Sequence, residues 1–308
     1  MNITDKLLAK IKATKNPTCV GLDTSFDYLP ENMQSKCKTL ADVGKSILEF
    51  NLKIIDSIKT VVPSVKVQIA YYEMYGIEGL KAFEKTLSAS KKAGLITIAD
   101  AKRNDIGSTA SCYSNAFLGE TSVLGKKFQA FNSDFLTVNG YLGGDGIKPF
   151  LEDCKKFDKG IFVLVKTSNP SSGELQNLKF TDGETLFEKM ASLVNEWGSD
   201  LKGVNGYSSV GAVVGATHPI EASVLRKRIP NTLFLIPGYG AQGGKADDLT
   251  VCFDDKGMGG IVNNSRGILT AYKQEKYKGL DYVAAAKAAC VDMQQDIYAA
   301  LKRAGKSL

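Results

Sequence analysis

Histidine is almost absent, since His218 is the only one in 308 residues. Its scarcity removes histidine-based zinc sites and leaves every Ser-His or Cys-His nucleophilic scheme dependent on one side chain. His218 stands in Ala216-Thr217-His218-Pro219-Ile220, where Pro219 suits the first turn of a helix. It therefore reads as a helix-start residue, with a place near a site as the alternative. Any proton transfers then fall to lysines and carboxylates. The six cysteines (Cys19, Cys37, Cys112, Cys154, Cys252, Cys290) form no Cys-x-x-Cys pair and no metal-ligand spacing. Such usage suits free thiols in a reducing compartment. No apolar run reaches membrane-spanning length, and Met1-Asn-Ile-Thr-Asp is not a basic stretch leading into an apolar one. The net charge of +6 is spread thinly, with Lys and Arg alternating with Asp and Glu, which argues against a nucleic-acid partner. The expectation is a cytoplasmic globular protein with neither nucleic-acid nor membrane partners.

What the chain does have is 44% hydrophobic content arranged in alternating short and long patterns. Short apolar runs cover Thr18 to Leu22, Val65 to Ala70, Leu95 to Ala99, Phe135 to Val138, Gly160 to Val165, Val210 to Gly215, Thr232 to Ile236 and Gly260 to Val262. Helical spacing lies between them, at Ala41 to Val61, Ile77 to Lys92, Glu184 to Trp197 and Tyr282 to Lys302. Eight strands each followed by a helical or mixed segment predict an α/β fold, a (β/α)8 TIM barrel, with residues 1–308 as a single domain. An open doubly wound sheet shows the same alternation. The polar segment Thr167 to Asp182 reads as a long loop over one barrel mouth.

Charges interrupt several of these runs at their ends. After Leu95-Ile-Thr-Ile-Ala comes Asp100-Ala-Lys102-Arg-Asn-Asp105, and the period of two along a strand puts Asp100 and Lys102 on one side. Lys66 breaks Val65 to Ala70, and Asp23 ends Cys19-Val-Gly-Leu. In a barrel these residues converge at the carboxyl ends of the strands. The last two runs lead into Pro237-Gly-Tyr-Gly-Ala-Gln-Gly-Gly and Asn263-Asn-Ser-Arg-Gly-Ile. Glycine-rich backbone and the fork of Arg266 at those two strand ends predict a phosphate site.

The array Asp100, Lys102, Asp105, continued by Ile106-Gly-Ser-Thr109, resembles the signature of the orotidine 5'-phosphate decarboxylase family. The resemblance extends through Gly21-Leu-Asp23, Val65-Lys66 with Ala70-Tyr-Tyr-Glu73, Val165-Lys-Thr-Ser-Asn-Pro-Ser-Ser-Gly173, Pro237 to Gly244, and Asn264-Ser-Arg266. The Lys-Thr-Ser-Asn-Pro form is similar to the longer-chain subgroup. The array alone also occurs in sugar-phosphate decarboxylases and aldol-type relatives.

The resemblance implies a homodimeric barrel with shared active sites. It would convert orotidine 5'-phosphate to uridine 5'-phosphate and carbon dioxide, the last step of de novo pyrimidine nucleotide biosynthesis, without metal or organic cofactor. It further implies that Asp23 and Lys66 hold the ribose hydroxyls, that Asp100 lies against the substrate carboxylate, and that Lys102 protonates the ring carbon. Asp105, Ile106 and Thr109 would come from the partner subunit, Ser168 or its neighbour Thr167 would read the pyrimidine, and Gln242 and Arg266 would clamp the phosphate. The chemistry fits these residue types. A ring carbanion with no enolate to spread its charge calls for a barrier reduction on the order of 20 kcal/mol. A fixed ammonium can stabilise that charge and then quench it. Other readings of the same residues are a metal-dependent sugar-phosphate decarboxylase or isomerase, and a non-catalytic nucleotide-binding protein that keeps the fold.

Overall fold

In the computed structural model, which describes residues 2–240 and 243–307, the eight expected runs close into a parallel barrel. Its strands are β1 (Thr18–Gly21), β2 (Ser64–Gln68), β3 (Ile96–Arg103), β6 (Phe135–Val138), β7 (Gly160–Lys166), β8 (Ser208–Val214), β9 (Thr232–Ile236) and β10 (Gly260–Asn264). β10 pairs back onto β1, so no edge is left and the open sheet is excluded. The short exposed hairpin of β4 (Thr121–Val123) and β5 (Lys126–Phe128) stands outside the barrel.

Local chemistry sets the helix limits. Thr39 and Asp42 form a reciprocal capping box, so the helix Leu40–Ile58 begins one residue before its first expected position. Ile47, Phe50, Ile54, Ile55 and Ile58 form its buried stripe. Thr185 and Glu188 cap Leu186–Trp197 in the same way. The helix Pro219–Arg228 starts at Pro219 with His218 in the capping position, as expected for a helix-start residue.

The amino-terminal helix has no counterpart in the sequence reading. Ile3–Thr14 buries Ile3, Leu7, Leu8 and Ile11 against Cys19, Ile96, Phe135, Phe162, Leu233 and Ile261 at the amino ends of the strands. That plug closes the bottom of the barrel and leaves the opposite mouth for a site. Among the described residues, no helix is long and apolar enough to cross a membrane.

Candidate active site

Inward-facing positions at the carboxyl ends of the strands floor a cavity of about 740 Å³. Its floor is divided. Lys66 on β2, Asp100 on β3 and Thr137 on β6 make one half polar, while Leu164, Val213 and Leu235 on β7, β8 and β9 make the other apolar. A flat ring can lie on the apolar half with one edge against the charges.

The charges form one continuous chain. Lys66 Nζ donates to Asp100 Oδ2 at 2.8 Å and to Asp23 Oδ1 at 3.2 Å. Lys102 Nζ donates to Asp100 Oδ1 at 2.7 Å, an oxygen that also accepts from Thr137 Oγ1 at 2.8 Å. At the other end Ser265 Oγ donates to Asp23 Oδ2 at 2.7 Å. Burial opposes the ionised form of Asp100, but Lys66 and Lys102 outweigh it and hold the carboxyl well below its ordinary pKa. Burial likewise opposes the Lys66 ammonium, yet Asp100 and Asp23 outweigh it and raise its pKa. The side chains of Lys66 and Asp100 are 5% and 9% exposed, against 47% for Lys102. The buried members thus fix the array, and Lys102 is the cation presented to the cavity.

Its placement differs from the sequence reading. β3 does not stop at Ala99 but continues to Arg103, so Asp100 and Lys102 lie within the strand rather than beyond it. The pairing with β6 shifts register between Ala99 and Arg103, and Lys102 takes a left-handed backbone with φ 49°. Its N–H donates to Thr137 Oγ1 at 3.0 Å. A regular period of two is therefore not what brings Lys102 to Asp100. An irregular strand end is, and such irregularities re-aim side chains.

The loop after β7 lies over the barrel mouth as expected, and Thr167, Ser168, Asn169 and Gln176 line the cavity. It is clasped at its base. Gln176 accepts from Thr167 N through Oε1 at 3.0 Å and donates through Nε2 to Thr167 Oγ1 at 2.7 Å. Thr167 Oγ1 donates in turn to Asn169 Oδ1 at 2.6 Å, and the fully buried Lys166 donates to Asn177 Oδ1 at 2.8 Å. Ser168 presses on the residue that follows β8: a methyl on Gly215 would come within 2.8 Å of its Cα, so only glycine fits there. His218 Nε2 lies 3.4 Å from Ser172 Oγ of this loop, which gives His218 a contact next to the site besides its place at the helix start.

At the rim beyond β9 and β10 the cavity is lined by Pro237, Gly238, Tyr239, Asn264 and Arg266. Tyr239 Oη donates to Asp296 Oδ2 at 2.5 Å, tying this loop to the helix Tyr282–Arg303. Gln242 lies outside the described residues. Asp105, Ile106 and Thr109 do not line the cavity of their own chain. The Asp105 carboxylate accepts from Ile106 N at 2.8 Å, and Ile106 and Thr109 are exposed at the start of the helix Gly107–Phe117. Among the described residues, no group of three or more His, Cys, Asp and Glu side chains is placed to hold a metal ion.

The model of the orotidine 5'-phosphate decarboxylase / HUMPS family matches residues 17–279. The chain is also 45% identical over 306 residues to the Caldicellulosiruptor bescii protein named orotidine 5'-phosphate decarboxylase, covering 98% of this chain and 99% of that one. The chain belongs to this family. Among solved structures, the Leishmania donovani OMP decarboxylase superposes with a TM-score of 0.73 at 30% identity, covering 97% of this chain and 100% of that one. The UMP synthase of the same organism gives a TM-score of 0.75 at 32% identity, covering 97% of this chain and 57% of that one.

On this decarboxylase-family barrel, Asp23, Lys66, Asp100, Lys102, Thr167, Ser168 and Arg266 share one cavity. Sequence reasoning missed Thr137, Gln176 and Asn263. Thr137 and Asn263 carried a signal, a polar residue at an inward position of an apolar strand; Gln176 sits in a polar loop without periodicity.

Proposed function

We propose that the protein decarboxylates orotidine 5'-phosphate to uridine 5'-phosphate, without metal or organic cofactor. The observation that carries this reading is the Lys66–Asp100–Lys102 array against an apolar half-floor, beneath a phosphate-compatible rim. The bond from the pyrimidine ring to its carboxylate breaks heterolytically. Carbon dioxide leaves, the electron pair stays on the ring carbon, and Lys102 Nζ delivers a proton to it. The Lys102 ammonium sits where that negative charge develops, in a site whose buried partners do not need to reorganise. Asp100 keeps Lys102 in position and faces the substrate carboxylate.

Asp23 and Lys66 take the ribose hydroxyls, and Arg266 with Gln242 takes the phosphate. Ser168, rather than Thr167, reads the pyrimidine edge. Both the hydroxyl and the N–H of Thr167 are engaged with Gln176 and Asn169, while Ser168 faces the cavity beside them.

The working unit in this reading is a cytoplasmic homodimer. Asp105, Ile106 and Thr109 sit off their own cavity, and exposed Met74, Ile77, Ile106, Tyr141 and Leu142 follow the adjacent strands β2, β3 and β6. An apolar surface of that kind suits a second copy, which would receive Asp105 and its neighbours into its own site.

Purified protein mixed with orotidine 5'-phosphate, with and without a chelator, tests the reading through the pyrimidine absorbance. Turnover indifferent to the chelator is expected. Absence of turnover, or its loss to the chelator, overturns it.

A further inference from the structure

Asn263 is 8% exposed, lines the cavity floor, and belongs to no part of the mechanism above. Its Oδ1 is buried and accepts no hydrogen bond among the described residues. Its Nδ2 lies 3.4 Å from Ser265 Oγ, the hydroxyl that donates to Asp23. The absence of a side chain at Gly21 on β1 leaves room for Asn263 and for Ser265. A methyl on Gly21 would come within 1.8 Å of Ser265 Oγ and 3.1 Å of Asn263 Oδ1. Gly21 also pairs in register with Lys66, so Asn263, Ser265, Asp23 and Lys66 meet across a strand with no side chain there.

A buried carbonyl oxygen without a donor is costly, and its usual explanation is a partner that arrives with the ligand. The donors and acceptors gathered here define that partner. Asp23 and Asn263 Oδ1 are acceptors, and Lys66, which reaches Asp23, is a donor. A cis-diol supplies two O–H donors and can accept from the ammonium. We propose that Asn263 is a further ribose-binding residue, its Oδ1 accepting from one hydroxyl of the ribose diol while the other donates to Asp23. Ser265 is then a positioning residue, acting through Asp23. The inference rests on the reading of the cavity as a nucleotide site.

The test is calorimetric binding of uridine 5'-phosphate and its 2'-deoxy and 3'-deoxy analogues to wild-type protein, Asn263→Ala and Ser265→Ala. Asn263→Ala is expected to bind uridine 5'-phosphate about five- to tenfold more weakly, the range of one lost neutral hydrogen bond. It should lose less than twofold for one deoxy analogue and keep the full loss for the other. Ser265→Ala should show its smallest loss with the opposite analogue. Equal losses across all three ligands, or the same insensitive analogue for both variants, overturns the assignment. Asn263→Ser replaces Asn263→Ala if the melting temperature of the latter shows that it does not fold. Wild-type turnover of orotidine 5'-phosphate separates the two levels. If turnover is present and the analogue pattern fails, Asn263 is wrong and the nucleotide reading stands. If wild-type protein neither turns over the substrate nor binds uridine 5'-phosphate, both fall.

Discussion

Lys102 donates to Asp100 across 2.7 Å from a left-handed backbone conformation, at φ 49°. A non-glycine residue there costs about 1–2 kcal/mol, and Thr137 helps to hold it by accepting from its N–H. Backbone strain at the proposed proton donor separates two effects of replacing it. Lys102→Ala and Lys102→Gly should both bind uridine 5'-phosphate and lose nearly all decarboxylation. Lys102→Gly should nevertheless be the more stable by about 1 kcal/mol, because glycine adopts positive φ without strain. Denaturant unfolding checks the second statement, and appreciable turnover by either variant removes Lys102 as the proton donor.

Lys66 bridges two carboxylates while almost wholly buried, so replacing it removes the buried partner of Asp100 and leaves only Lys102 and Thr137 on it. Lys66→Met should destabilise the fold by about 3–5 kcal/mol at neutral pH. The sign of its pH dependence follows from the two shifts. Asp100 is depressed below its ordinary value, so its contribution is present above about pH 4 and is lost as pH falls through the folded pKa. Lys66 is raised, so its contribution is full below about pH 10 and is lost in strong alkali. Removing Lys66 weakens the depression of Asp100, so the gap between variant and wild type should stay constant down to about pH 4 and narrow only as pH falls below it. A gap that stays constant on further acidification below about pH 4 would mean that the loss is packing alone.

The strands and the charges on them were legible because each obeys a local rule. Asp23, Lys66 and Asp100 interrupt β-branched runs, and barrel closure carries such positions to one mouth. What stayed hidden depends on neighbours distant in sequence. Thr137 becomes a partner of Asp100 only when β6 pairs with β3, and Asn263 and Ser265 find room only because Gly21 carries no side chain. The left-handed turn at Lys102 has no mark in its residue type, since a lysine ordinarily avoids it. The plug helix Ile3–Thr14 went unplaced because its apolar stripe matches no barrel repeat.

The clasp between Thr167 and Gln176 fixes the base of the loop that lines the cavity. Removing it should act on binding more than on chemistry. Gln176→Ala frees the Thr167 N–H and hydroxyl and lets Ser168 drift, so KM for orotidine 5'-phosphate should rise about tenfold while kcat changes less than threefold, since no group that handles the proton is touched. Ser168→Ala should show the same pattern and Thr167→Val a weaker one. If Thr167→Val proves the most damaging of the three, the pyrimidine is read by Thr167.

Asp105 lies off the cavity of its own chain, and if it serves the neighbour's site, activity is tied to assembly. Each site would then combine Lys102 from one chain with Asp105 from the other. Lys102→Ala and Asp105→Ala proteins should each be nearly inactive alone. Dissociated and reassorted together, they form heterodimers with one doubly damaged site and one intact site. Random assortment of a two-fold dimer makes half of the dimers mixed, and half of their sites are whole, so about a quarter of wild-type activity should return. Native mass spectrometry establishes whether heterodimers have formed. If they have and no activity returns, Lys102 and Asp105 work within one chain, and the exposed helix start that carries Ile106 and Thr109 must fold over its own cavity.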